Sequence, residues 1–148
     1  MGKASSILER KGREVYTIGP QEKVIDAIRL MVDKNVGSLL VMDGSEILGI
    51  LTERDYLSRV VLQGRTSRET PVSEIMTGAE KIVFVDPDAS VEECMAVMTE
   101  KRVRHLPVMD NGKLAGVISI GDLVRQISRD RKAQVQYLTD YIVGKYPA

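Results

Sequence analysis

Gly49-Ile50-Leu51-Thr52-Glu53-Arg54-Asp55 and Gly116-Val117-Ile118-Ser119-Ile120-Gly121-Asp122 are two versions of one pattern. Each has a glycine, two large apolar residues, a hydroxyl residue and an aspartate three positions later. Working outward at an offset of 67, Thr17–Leu57 lies over Phe84–Val124 without a gap, and 11 of the 41 positions are identical. Random pairing at average residue usage gives roughly two or three. The identities include Pro20/Pro87, Met31/Met98, Val41/Val108, Asp43/Asp110, Gly49/Gly116 and Asp55/Asp122. Most of the other aligned core positions are conservative, so the chain holds two copies of one supersecondary unit.

Both copies read as β-α-β-β-α. An extended segment (15–18 and 82–85) precedes Pro20 or Pro87, and an amphipathic helix comes after it. Its apolar face is Val24, Ala27, Ile28, Met31 and Val32 in the first copy, and Val91, Cys94, Met95 and Met98 in the second. Ser90 and Glu93 have capping-box spacing. Two strands come next, Ser38–Met42 with Ile47–Leu51, and Leu106–Met109 with Leu114–Ser119. Asp43-Gly44 and Asn111-Gly112 are hairpin signals between them. A further helix begins near Glu53 and Ile120. The fold class is therefore mixed α/β (α+β), two repeats in one module. The expected domains are 8–66 and 71–130, joined by a polar linker over 63–70, with a helical extension over 131–148. In that extension Leu138, Tyr141 and Ile142 return to helical spacing, either an oligomer or partner contact or a solvated helix end.

Composition narrows the function. Twenty-one basic residues balance 21 acidic ones, so no global field draws nucleic acid, and a scarcity of aromatics argues the same way. The single Cys94 excludes an intrachain disulfide and any Cys-rich metal site. No apolar run approaches the length of a membrane span. Met1-Gly2-Lys3-Ala4-Ser5-Ser6 fits a loose myristoylation pattern, but a plain start is the preferred reading, and the cytoplasm is the expected compartment. One histidine rules out a His-Glu-x-x-His zinc site, and no Walker loop or nucleophile elbow is present. The expectation is that the chain is not an enzyme and requires no cofactor.

What remains is the repeated Thr/Ser-x-x-Asp. It is a capping-box pattern that starts a helix. The same geometry suits a nucleotide: a carboxylate accepts hydrogen bonds from both ribose hydroxyls, and the hydroxyl with free N–H groups at the helix start suits phosphate. The two roles are compatible.

Ile50-Leu51-Thr52-Glu53-Arg54-Asp55-Tyr56, Arg104-His105-Leu106-Pro107-Val108 and Val117-Ile118-Ser119-Ile120-Gly121-Asp122 resemble the CBS-domain family, over about residues 15–127. The arrangement is similar to stand-alone two-domain members. The resemblance implies a pseudo-twofold pair of repeats with two clefts between them, binding AMP, ADP, ATP, NAD or S-adenosylmethionine. It implies ribose contacts from Asp55 and Asp122, and ribose or phosphate contacts from Thr52 and Ser119. Read from the residues, the basic cluster of Arg102, Arg104 and His105 suits phosphate, against a solvated charge cluster for Arg102 and a structural histidine for His105, and Arg54 either reaches phosphate or points to water. Adenine would be framed around Gly37, Ser38 and Leu39, and around Val103, Leu106 and Pro107, with Thr17, Val83 and Val85 as the opposite wall. Two non-equivalent sites are expected, with the second copy the better phosphate candidate. The resemblance further implies a homodimer and a regulated partner protein in signal transduction. The alternative is a structural or interaction module with degenerate ligand sites.

Overall fold

The computed structural model describes residues 2–130 and Ile142. The chain opens with helix α1 (Ala4–Lys11). The first repeat then runs as β1 (Thr17–Ile18), α2 (Val24–Lys34), β2 (Ser38–Asp43), β3 (Glu46–Thr52) and α3 (Glu53–Tyr56), which widens into a π-helical turn over Leu57–Val61. Two short 3-10 turns, Val72–Glu74 and Ala79–Lys81, flank β4 (Thr77–Gly78). The second repeat is α4 (Val91–Lys101), β5 (His105–Asp110), β6 (Lys113–Ser119) and α5 (Ile120–Asp130).

The two repeats agree in detail. Helix α2 buries Val24, Ala27 and Met31, and α4 buries Val91, Cys94 and Met98, the same positions 67 residues on. Each helix ends on a left-handed residue, Asn35 (φ 55°) and Arg102 (φ 56°). Asparagine tolerates that conformation, whereas arginine carries a Cβ penalty there. Each hairpin is antiparallel and slips register at the same place, between Val41 and Met42 and between Val108 and Met109. Asn111 (φ 50°) and Gly112 (φ 79°) both take the positive φ that a tight turn of matching twist requires. The first extended segment is shorter than the sequence suggests. Only Thr17 and Ile18 pair with Leu40 and Val41, and in the second copy only Val85 bridges Val108.

The compact units do not coincide with the sequence repeats at their borders. One unit is continuous, from Val15 to Ile82; the other is discontinuous, joining the first residues through Glu14 to the part starting at Val83. The segment before each repeat thus packs into the other unit. The backbone bonds repeat at an offset of 68. Val24 N–H donates to Thr70 O and Val91 N–H to Gly2 O; Val72 N–H donates to Glu22 O and Ala4 N–H to Ala89 O; Ser73 N–H donates to Pro20 O and Ser5 N–H to Pro87 O. The buried residues Val72 and Ile75 stand where Ala4 and Ile7 stand in the other segment. A domain drawn as 8–66 therefore cuts α1, and one drawn as 71–130 takes in 71–82, which belongs to the continuous unit.

The physical reason is the shared glycine. A Cβ on Gly49 would run into the Thr77 carbonyl oxygen and come within 2.8 Å of Met76 Sδ, and a Cβ on Gly116 would lie 2.6 Å from Leu8 Cδ2. Each missing side chain is a slot filled by the exchanged segment. Past the slot the two segments diverge. Beyond Met76 the chain turns into β4, antiparallel to β3 through Gly49↔Gly78 and Ile50↔Thr77, making a four-stranded sheet β1-β2-β3-β4. Beyond Leu8 it stays helical to Lys11, and β5-β6 is a two-stranded sheet with α1 packed on β6. Each unit closes its own aliphatic core, and burying a side chain such as Leu8 or Ile75 stabilises by roughly 1.5–3 kcal/mol. The expected extension over 131–148 lies outside the described residues, apart from Ile142, which is helical.

Candidate functional site

The carboxylate pair is built by the strand-to-helix junctions. At the end of β3, Thr52 N–H donates to Asp55 Oδ2 (3.0 Å) and Asp55 N–H to Thr52 Oγ1 (3.1 Å). At the end of β6, Ser119 N–H donates to Asp122 Oδ2 (2.8 Å) and Asp122 N–H to Ser119 Oγ (3.2 Å). Both are reciprocal capping boxes, which satisfy donors a helix start leaves over. The first helical N–H is also used: Glu53 N–H donates to Gly37 O and Ile120 N–H to Arg104 O. Two of the N–H groups that the motif would offer to phosphate are thus engaged by the fold itself. Asp55 and Asp122 are nearly buried, at 7% and 6% exposure.

Around these matching caps the charge differs. Asp55 accepts a long hydrogen bond from the Thr77 hydroxyl, 3.3 and 3.4 Å from its two oxygens, and Arg59 Nε stands 3.9 Å away. Asp122 is bound by two cations. Lys11 Nζ donates to its Oδ2 (2.7 Å) and to Val117 O (2.9 Å), and Arg125 Nη2 donates to its Oδ1 (2.7 Å). Burial pushes the Asp122 carboxyl upward, but the Lys11 hydrogen bond, the Ser119 N–H and Arg125 outweigh it and hold it below the ordinary value. An ionised carboxylate has about four acceptor positions. Three donors bind Asp122, and two bind Asp55, of which the Thr77 hydroxyl is shared between both oxygens.

Two cap-and-acid corners at matching ends of a duplicated β-α-β-β-α unit coincide with one family model, CBS domain, over residues 7–62 and 72–129. The chain belongs to the CBS-domain family. Such proteins are typically regulatory or signal-transduction modules. It is 41% identical to the mitochondrial CBS domain-containing protein CBSX3 of Arabidopsis thaliana, over 96% of this chain and 72% of that one. Among solved structures it resembles a CBS protein from Burkholderia ambifaria, provisionally assigned to signal transduction, with 52% identity and a TM-score of 0.83 over 87% and 96% of the two chains. A hexameric CBS-CP12 protein from bloom-forming cyanobacteria matches at 32% identity and a TM-score of 0.72, over 84% and 71%. These relatives carry no enzyme name.

The other expected contact residues of the CBS repeats fall into the two units separately. Thr17, Gly37, Ser38, Leu39, Thr52, Arg54 and Asp55 lie in the continuous unit. Val83, Val85, the stretch from Arg102 through Val103, Arg104, His105, Leu106 and Pro107, and Ser119 and Asp122 lie in the discontinuous one. Leu39 and Leu106 are core side chains at 1% and 0% exposure, so only their backbones are available to a ligand. Arg102 is the left-handed C-cap of α4. His105 is half-buried at the start of β5; burial first, then Lys11 and Arg104, pull its pKa below the usual value, against the pull of Asp122. Cys94 is buried within α4, and burial, then Glu93, raises its thiol. Sequence reasoning missed Lys11, Thr77, Arg59 and Arg125. The last two were findable, because helical spacing puts Arg59 four residues after Asp55 and Arg125 three after Asp122. Lys11 lies 111 residues from its partner and no local pattern points to it.

Proposed function

We propose that this CBS pair is a sensor that binds an adenosine-containing nucleotide (AMP, ADP, ATP or NAD) at Asp55 and Asp122 and so modulates a partner protein. The observation that carries the reading is the duplicated, nearly buried acid held at a helix start beside a hydroxyl residue. At Asp55 the long bond shared from the Thr77 hydroxyl to both oxygens is the one that ribose hydroxyls would replace. A nucleotide regulates only if it binds two states of the module with different affinity. Isothermal titration with AMP, ADP, ATP, NAD and S-adenosylmethionine tests the reading, with Asp55→Asn expected to weaken binding at least about tenfold. No heat and no thermal shift with any of them would sink it.

Self-association is the second element of the proposal. Leu57 and Val61 in the π-helical turn and Leu62 just past its end are exposed, and one structural relative is hexameric. A homodimer through this face predicts that Leu57→Glu with Leu62→Glu gives a monomer in light scattering; an unchanged mass argues against this face. As to compartment, a lone buried Cys94 suits the reducing cytoplasm, although one relative is named mitochondrial. Among the described residues no helix is long and apolar enough to cross a membrane.

A further inference from the structure

Lys11 is anchored from an unusual direction. It is the last residue of α1, and its ammonium reaches the end of β6 and the start of α5, bonding Val117 O and Asp122 Oδ2. Helix α1 itself cannot move away cheaply, because Ala4, Ile7 and Leu8 are buried in the core of the same unit. The lysine side chain is the adjustable part, at 36% exposure.

A ribose diol that bridges both carboxylate oxygens needs one acceptor position on each. Asp122 Oδ1 has one to spare beside Arg125, but Oδ2 already takes the Ser119 N–H and the Lys11 ammonium. The Ser119 bond is part of the helix cap, so the ammonium is the group that must yield. Removed from a nearly buried carboxylate, it keeps only the Val117 carbonyl. A bare nucleoside leaves it there without an anion. A phosphorylated nucleotide brings one, and the Arg104 carbonyl accepts the Ile120 N–H at the start of the same helix, with His105 next to it in sequence and electrostatically coupled to Lys11 and Asp122.

Resting on the nucleotide reading above, we infer that Lys11 is a specificity-determining residue, making the Asp122 site select phosphorylated nucleotides over nucleosides by exchanging its carboxylate partner for the ligand's phosphate. The test is isothermal titration of AMP and of adenosine into the full chain carrying Asp55→Asn, so that only the Asp122 site is read. Lys11→Met, Lys11→Gln and Lys11→Arg are then added to it. With Lys11 or Arg at this position, AMP is favoured over adenosine by at least about tenfold, the worth of one charge-assisted hydrogen bond. With Met or Gln the ratio collapses, as adenosine binding improves and AMP binding weakens. Two neutral variants keep the comparison available if one fails to fold. An unchanged ratio in the neutral variants overturns the inference and leaves the nucleotide reading in place. So does loss of all AMP binding in Asp55→Asn while Asp122→Asn still binds. No AMP binding by the unmodified chain overturns this inference, and no binding of AMP, ADP, ATP, NAD or S-adenosylmethionine overturns both.

Discussion

The corner at Asp55 and the corner at Asp122 have the same backbone and different electrostatics. In both, a Thr or Ser and an Asp cap a helix reciprocally, and the helix start is tied to the carbonyl 16 residues earlier, Gly37 for Glu53 and Arg104 for Ile120. Part of the difference lies within the repeats, where Arg125 bonds Asp122 at 2.7 Å and Arg59 stands 3.9 Å from Asp55, and the rest is imported by the segment that precedes the opposite repeat. It brings a hydroxyl, Thr77, to Asp55 and an ammonium, Lys11, to Asp122. The repeat places the acid and one arginine beside it, and the exchanged segment adds a second partner of different charge. A duplicated module can in this way diverge in ligand preference without altering its motif.

The largest effects are expected where the exchanged segments fill the glycine slots. Leu8→Ala removes a fully buried side chain from over Gly116 and should cost about 3 kcal/mol in chemical denaturation, against a smaller loss for the half-buried Met76→Ala. A cost under about 1 kcal/mol for Leu8→Ala would show that α1 is not an integral part of its unit. Gly49→Ala should cost about 2–3 kcal/mol, because the new methyl meets a backbone carbonyl. Gly116→Ala should cost about 1 kcal/mol, because it meets the end of a leucine side chain. Combining Gly116→Ala with Leu8→Ala should recover part of the loss, and strict additivity would mean the two do not share a slot.

Next come the charge partners. Lys11→Met leaves a nearly buried carboxylate with one cation fewer. It should destabilise by about 1–2 kcal/mol, discounted because the lysine is one-third exposed. Thr77→Val, which removes a long neutral bond, should cost less than about 1 kcal/mol. Equal losses at the two corners would erase the contrast drawn between them.

Titration sharpens it further. His105 and Asp122 both have folded pKa values below their ordinary ones of 6.5 and 3.8, so the unfolded chain binds more protons. The contribution of these two groups is therefore full above about pH 6.5, falls as the pH drops through the histidine window, and falls again below about 3.8. Ser38 occupies the position of His105 in the first copy. His105→Ser should abolish the upper step in melting temperature against pH and leave the lower one. The smallest expected effect is a gain. Arg102→Gly relieves a left-handed non-glycine and should stabilise by about 0.5–1 kcal/mol, and Asn35→Gly by less.

Much of this was legible in the residues. The ungapped offset of 67 revealed the duplication, the helical spacing revealed Val24, Ala27 and Met31 as the buried face but also put Val32 there, which is 76% exposed, and the caps at Thr52 and Ser119 were readable from a three-residue spacing. The exchange of segments was not legible, for two reasons. The preceding segments repeat at 68 rather than 67, so an ungapped comparison loses them. Over residues 4–8 against 72–76 they share only Ser5/Ser73 and Ile7/Ile75.

By itself, then, the sequence determined two β-α-β-β-α repeats of the CBS family and the acids that begin their last helices. Local periodicity and capping are properties of neighbours in the chain, and a sequence displays neighbours. Only the tertiary structure decided that Lys11 reaches Asp122 and Thr77 reaches Asp55, with Leu8 and Met76 filling the gaps beside Gly116 and Gly49. Those contacts depend on which apolar segment fits which slot, a matter of shape and burial that sequence spacing does not encode.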